Sequence, residues 1–175
     1  MNRLISAVEI AKQAHLGQYR KYGIVKEPYI NHPLRVMNNV LLFYPKKDYD
    51  ELENIAIGAV LHDFLEDTKY RYDEIESMYG SNPAHLVWEV SNPSQLVPEY
   101  NELPRSERNE IDNKHLTSIS DNGKFIKMCD ILDNVKDMKD APAKWRVKYL
   151  TEKQVQLSIL EKVNPRIAEV ITSYL

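Results

Sequence analysis

The stretch A-V-L-H-D-F-L-E-D-T, residues 59–68, carries most of the information in this chain. It places one histidine and three carboxylates beside an apolar run that has helical spacing. A helix advances about 3.6 residues per turn, so one continuous helix would stack His62 near Glu66 and Asp63 near Asp67. All four side chains would then lie within an arc of roughly 140°. Such a concentration of charge beside a core needs a compensating cation, and a divalent metal is the simplest one.

Length and composition predict one soluble globular domain over residues 1–175. The formal net charge of −3 excludes a global basic field for duplex nucleic acid, although a local basic pocket is compatible with it. Cys129 is the only cysteine, which excludes an intramolecular disulfide and a cysteine-rich zinc site. One unpaired cysteine fits a reducing compartment.

The amino-terminal segment does not have the pattern of a secretion signal. Glu9 and Lys12 interrupt it where a signal peptide needs an unbroken apolar region. No window of the sequence approaches the about 20 apolar residues that a membrane span requires. We therefore expect a cytoplasmic protein without a membrane partner.

Apolar residues recur with helical spacing along the chain, and strand-like alternation is scarce. A long helix over about residues 51–67 is predicted to carry the His-Asp pair. Pro33 is expected to open a helix at its first position, and Pro104 to start a charged helix. Ser120, Asp121 and Asn122 offer N-cap chemistry for another. Residues 91–103 are predicted to form a loop. The pattern indicates an all-α bundle of about eight or nine helices.

Two further residues are candidate metal ligands together with His62 and Asp63. They are His32, in Y-I-N-H-P, and Asp130, in K-M-C-D-I-L-D-N. Two nitrogens with two or more carboxylate oxygens suit Mn²⁺, Fe²⁺, Co²⁺ or Zn²⁺ better than Ca²⁺. Residue types alone leave a second interpretation open, in which His32 is a helix-entry residue and Asp130 a solvated helix charge.

Several segments, in the same order along the chain, resemble the HD-superfamily hydrolases, and more closely the (p)ppGpp hydrolase domain of the Rel/Spo family in its stand-alone, small alarmone hydrolase form. The combination of R-K, P-Y-I-x-H-P and H-D-x-x-E-D-T is specific to that family. The matching segments are A-K-Q-A-H-L-G-Q-Y-R-K-Y-G (11–23), P-Y-I-N-H-P-L-R-V (28–36), A-V-L-H-D-F-L-E-D-T (59–68), E-V-S (89–91), L-P-R-S-E-R (103–108) and I-K-M-C-D-I-L-D-N-V-K-D (126–137).

The resemblance implies an HD-type helical fold and a hydrolase that removes pyrophosphate from the ribose 3′ position of guanosine tetra- or pentaphosphate (ppGpp or pppGpp), leaving GDP or GTP. It implies a role for three groups of residues. The expected ligands of one Mn²⁺ are His32, His62, Asp63 and Asp130. The residues expected to orient and deprotonate the attacking water are Glu66 and Asp67. The residues expected to contact the nucleotide and its phosphates are Arg20, Lys21, Arg105, Asn134, Arg146 and Tyr149.

Two alternatives to this function remain open at the level of sequence. The same scaffold could remove phosphate from another nucleotide, with NADPH 2′-phosphate first and nucleoside monophosphates next, or the chain could be a catalytically silent nucleotide-binding module. The sequence also departs from the family. Ile131 stands where the family usually has lysine, and residues 92–103 form a longer connection than usual. Trp145 is predicted to be a packing residue.

Overall fold

The computed structural model describes residues 2–21, 26–45 and 48–175. Within these ranges the chain forms α-helices, 3-10 helices and one isolated bridge between Tyr19 and Pro28, but no β-strand. The helices are α1 (Asn2–Ala14), α2 (Asn31–Phe43), α3 (Tyr49–Val60), α4 (Phe64–Asp67), α5 (Tyr72–Tyr79), α6 (Ser81–Val90), α7 (Pro93–Leu96), α8 (Arg105–Ser118), α9 (Asp121–Asp137), α10 (Ala143–Leu160) and α11 (Pro165–Thr172), with 3-10 helices at Pro98–Glu102 and Met138–Asp140.

The all-α prediction is confirmed, and the described residues form slightly more helices than the eight or nine expected. Of the eleven α-helices within these residues, α4 and α7 have only four residues each, which is too short for a periodic pattern to reveal them. Among the described helices, none combines the length and the apolar character needed to cross a bilayer.

Helix α9 is the central element of the fold. Ser120, one of the three cap candidates in the sequence, caps its first turn by accepting a hydrogen bond from the amide of Gly123. Ile126, Met128 and Ile131 are fully buried along it, and the helix packs against α2, α3, α6, α10 and α11. Elements from distant parts of the chain therefore meet around one helix. A lysine at position 131 would lose its hydration in this core, which explains why an apolar residue suits the site here.

Close packing of α3 brings the His-Asp segment towards α9. A Cβ atom placed on Gly58 would lie 3.0 Å from Cβ of Leu86 and 3.2 Å from Cδ1 of Ile126. Contacts this short leave little room for a side chain, so glycine allows α3 to approach both α6 and α9.

The predicted continuous helix over residues 51–67 is wrong, because α3 ends at Val60 and α4 begins at Phe64. The turn between them contains His62 and Asp63. Nδ1 of His62 donates a hydrogen bond to the carbonyl oxygen of Ala59 at 2.8 Å, which satisfies one acceptor left free at the end of α3. The two residues therefore leave the helical arc assumed from their spacing.

Two boundary predictions also need correction. Helix α2 begins at Asn31, so Pro33 is its third residue, still within the first turn, where a missing amide hydrogen costs nothing. The predicted loop over residues 91–103 contains α7 and the 3-10 helix Pro98–Glu102.

Candidate metal centre and nucleotide site

The imidazoles of His32 and His62 face each other in the interior, with their Nε2 atoms 3.2 Å apart. Nδ1 of His62 donates to the carbonyl of Ala59, and Nδ1 of His32 lies 2.7 Å from Oδ2 of Asp133. Since a carbonyl or carboxylate oxygen accepts, each Nδ1 carries the hydrogen and each Nε2 of a neutral ring presents a lone pair. Two facing lone pairs repel each other unless a cation lies between them.

Two carboxylates complete this cluster. Oδ2 of Asp63 lies 2.9 Å from Nε2 of His62 and 3.7 Å from Nε2 of His32. Oδ1 of Asp130 lies 3.2 Å from Nε2 of His32 and 3.7 Å from Nε2 of His62. One possible metal-ligand atom from each of His32, His62 and Asp130 lies within 4.8 Å of the other two. Asp63 is not part of this group of three, but its carboxylate lies close to both imidazoles. The donor set of nitrogen and carboxylate oxygen fits a divalent transition metal.

The electrostatics of the cluster favour an added positive charge. Although burial opposes ionisation, Lys127 and the two histidines hold the pKa of Asp130 well below its usual range. Burial would also lower the pKa of His62, but Asp63 and Asp130 outweigh it and raise that pKa well above the ordinary value. The carboxylates therefore stay charged and attract either a proton or a metal ion to this point.

Several residues that support the cluster were not predicted from the sequence. Oδ1 of Asp133 accepts a hydrogen bond from Arg35 at 2.6 Å, while its Oδ2 holds His32. Tyr29 donates to Asp63 at 2.6 Å, so its hydroxyl is committed to the cluster. Nζ of the buried Lys127 lies 3.2 Å from Oδ2 of Asp130. Each of Asp133 and Lys127 lies three residues from Asp130 on α9, a spacing that could have indicated them.

Glu66 is held by the segment that follows α6. The backbone amide of Asn92 donates to Oε1 of Glu66 at 2.7 Å, and the side chains of Asn92 and Gln95 also donate to this carboxylate. Its enclosure by the protein raises the pKa of Glu66 to about 7, and the nearby Asp63 acts in the same direction. The pKa of Asp67 is also raised, by partial burial and by the charge of Asp63. The segment that contains Asn92 and Gln95 therefore positions a candidate base.

Four of the predicted nucleotide contacts line one cavity of about 240 Å³ beside the cluster. They are Arg20, Lys21, Asn134 and Tyr149. Arg20 donates to Asn134 at 2.7 Å and to Asp137 at 2.9 Å, and Asn134 donates to Asp130. Trp145, predicted to be a packing residue, is only half-buried and stacks on Tyr149 in the wall of this cavity, with ring centroids 4.8 Å apart.

The other two predicted nucleotide contacts do not line this cavity, although the guanidinium carbon of Arg105 lies 5.9 Å from the centre of the Trp145 ring in its wall. Arg105 lines a larger cavity of about 640 Å³ and donates two hydrogen bonds to Glu152, at 2.9 and 2.7 Å. Tyr149 lines both cavities. Arg146 lines neither; it donates to the carbonyl of Lys139 at 3.4 Å. The structure therefore does not bring Arg146 together with the other predicted residues.

An all-α fold with an adjacent His-Asp pair facing a second histidine and a distant aspartate defines an HD-type protein. A protein of Xenopus tropicalis named guanosine-3′,5′-bis(diphosphate) 3′-pyrophosphohydrolase MESH1 is 32% identical over 150 residues, which cover 85% of this chain and 77% of that relative. The bifunctional (p)ppGpp synthase/hydrolase SpoT of Escherichia coli K12 is 40% identical over 96 residues, 55% of this chain and 12% of SpoT. No family model matches the chain.

The solved structure of a metazoan SpoT orthologue superimposes on the fold with a TM-score of 0.84, covering 99% of this chain and 94% of that one at 24% identity. The fold is therefore shared over almost the whole length. The chain belongs to the Rel/Spo family of HD-type hydrolases.

Proposed function

We propose that this protein is a Mn²⁺-dependent hydrolase that removes the 3′-pyrophosphate from guanosine tetra- or pentaphosphate, giving GDP or GTP and pyrophosphate. The observation that carries the proposal is the convergence of His32, His62 and Asp130, from three separate elements, on a point that demands a cation. The names of the relatives, which describe a ppGpp 3′-pyrophosphohydrolase, support the choice of substrate.

In this proposal the metal ligands are His32, His62, Asp63 and Asp130. A divalent ion at this point would supply Lewis acidity towards a phosphoryl oxygen and towards water. Glu66 accepts a proton from the attacking water, because its pKa near 7 leaves it partly ionised and basic at neutral pH. Asp67, one residue further on α4, orients that water.

The reaction balances as a simple hydrolysis. The water oxygen forms a bond to the phosphorus that carries the ribose 3′-oxygen, and the bond between that phosphorus and the 3′-oxygen breaks. The proton accepted by Glu66 passes to the 3′-oxygen, which leaves as a hydroxyl. The two products are the 5′-phosphorylated guanosine and pyrophosphate.

We assign the nucleoside to the smaller cavity. Its stacked Trp145 and Tyr149 rings offer a flat face for a purine, and Arg20 and Lys21 bring positive charge for phosphate oxygens. The negative net charge of the chain agrees with a basic character confined to the pocket.

We also propose that residues 1–175 act as one domain in the cytoplasm. Helix α9, which carries Asp130, packs against α2 near one end of the chain and α11 near the other. The site would therefore depend on helices from both ends of the chain. The sequence has a single cysteine, Cys129, and so no intramolecular disulfide, which agrees with a reducing compartment.

The deciding experiment is a substrate panel with the purified protein and Mn²⁺. We expect GDP and pyrophosphate from ppGpp at micromolar enzyme, with much slower phosphate release from NADPH and nucleoside monophosphates. Chromatography separates the nucleotides, and separate assays distinguish phosphate from pyrophosphate. No product from ppGpp, or release of phosphate from NADPH as the faster reaction, would overturn the proposal.

A variant of Asp133 tests the support of His32. Asp133→Asn removes the charge that fixes the hydrogen on Nδ1 of His32, while it preserves the size of the side chain. Loss of such an outer contact typically weakens metal affinity by about 10- to 100-fold. Mn²⁺ affinity from competition with a chelating dye measures the effect. Asp121→Asn, which changes an exposed carboxylate on the same helix, is the control, and equal affinities for both variants would contradict this role.

A further inference from the structure

The larger cavity lies beside Glu66, the candidate base. It is also lined by cationic side chains that have no role in the proposed function. Its walls include Asn92 and Gln95, which hold Glu66, together with Arg108 from α8 and Lys153 from α10. Its volume of about 640 Å³ falls within the range of about 300–1,000 Å³ typical of ligand sites. The cavity is therefore large enough for part of a substrate.

Lys153 lies one helical turn after Tyr149, on the same face of α10. Its Nζ donates to Gln156 at 2.8 Å and lies 5.1 Å from the centre of the Tyr149 ring. No carboxylate in the described part of the chain forms an ion pair with it. Burial, together with repulsion from Lys127, lowers the pKa of Lys153 to about 8. An anion bound at this position would relieve both effects.

Arg108 supplies a second cationic group to the same cavity. Its Nε is buried and has no hydrogen-bond partner within residues 2–21, 26–45 and 48–175. A buried donor without an acceptor costs free energy, and an anionic oxygen is its strongest partner. Two cations from different helices thus face one space.

Three carboxylates also line this cavity, and two of them bond to groups other than Arg108 and Lys153. Asp112 accepts hydrogen bonds from the amide and the hydroxyl of Ser94, at 3.0 and 2.6 Å. Glu152 is bound by Arg105 through two hydrogen bonds. Glu110 is exposed to solvent, where its charge is screened.

We propose that Arg108 and Lys153 form a subsite for the distal phosphate of the scissile diphosphate, so that the enzyme prefers a diphosphate to a monophosphate ester. This inference rests on the proposed function. Asn134 and Tyr29 connect the His-Asp cluster to the smaller, aromatic cavity, and Asn92 and Gln95 connect Glu66 to the larger one. With the nucleoside in the aromatic cavity and its 3′ ester at the cluster, the rest of the diphosphate extends into the larger cavity.

The test is a calorimetric titration of inorganic pyrophosphate, and separately of GDP, into the Mn²⁺-loaded protein. Lys153→Met is expected to weaken pyrophosphate binding by about tenfold, the effect of losing one charge-assisted hydrogen bond, and to leave GDP binding unchanged. Lys148→Met, an exposed lysine on the same helix, is the matched control and should bind both as the wild type does. The metal contributes equally to pyrophosphate binding in all of these proteins. Differences between their affinities therefore report the contribution of the substituted side chain.

Arg108→Gln, on a different helix, is also expected to weaken pyrophosphate binding and leave GDP binding unchanged. This variant replaces Lys153→Met in the test if Lys153→Met does not fold. Pyrophosphate affinity equal to that of the wild type, or an equal loss for GDP, would overturn the subsite. The titration measures binding alone, so it can fail while ppGpp is still hydrolysed. Conversely, an enzyme inactive on ppGpp contradicts the proposed function whatever the titration shows.

Discussion

The His62→Ala protein is expected to bind no metal and to hydrolyse no nucleotide. His62 provides one of two facing Nε2 atoms, 3.2 Å apart, so its removal takes away a donor that no neighbouring side chain replaces in kind. Turnover on ppGpp should fall by about a thousandfold, the upper end of the loss seen when a main electrostatic stabiliser of a reaction is removed. Elemental analysis after Mn²⁺ loading and gel filtration measures the metal, and product chromatography measures the rate.

The melting temperature provides a second measurement on the His62→Ala protein. Because an ion that binds only the folded state stabilises it, Mn²⁺ should raise the melting temperature of the wild type and not that of His62→Ala. His85→Ala, which removes an exposed imidazole from α6, should respond to Mn²⁺ as the wild type does. Full metal content in His62→Ala would show that the histidine pair is not a ligand pair.

The sequence predicted the helical class of the fold because apolar residues repeat with the helical period in several elements, among them α1, α2 and α11. It did not predict the break between α3 and α4, because His62 bonds the free carbonyl of Ala59 and this local contact competes with the regular helical ladder. Periodicity describes one helix at a time. The meeting of His32 with Asp130 depends on how α2 and α9 pack, which only the family resemblance indicated beforehand.

Helix α10 gives a second example, in the nucleotide site, of a feature that the sequence did not predict. Trp145, Tyr149 and Lys153 follow at four-residue intervals and therefore share a face, which lines the two cavities. Arg146 is turned by about 100° from Trp145 and lies outside both. An arginine and a tyrosine close together in sequence matched the family pattern, but the rotation of the helix decides which side chains face the site.

Glu66→Gln is expected to keep its metal and lose its turnover. Glu66 is held by Asn92 and Gln95, and in the described part of the chain its carboxylate forms no hydrogen bond to His32 or His62. The amide of glutamine preserves the size of the side chain but cannot accept a proton from water, so the rate should fall by about 10²- to 10⁴-fold, the usual contribution of a general base. Metal content and the Mn²⁺-dependent rise in melting temperature should match those of the wild type.

Comparison of His62→Ala with Glu66→Gln distinguishes a residue that binds the metal from a residue that accepts a proton. Glu76→Gln, which changes an exposed glutamate on α5, controls for the loss of one negative charge. If Glu66→Gln lost metal as completely as His62→Ala, the carboxylate would be a ligand and another group would have to take the proton. If Glu66→Gln kept both metal and full activity, Asp67 would be the better candidate for the base, because it is the other carboxylate of α4 and its pKa is also raised.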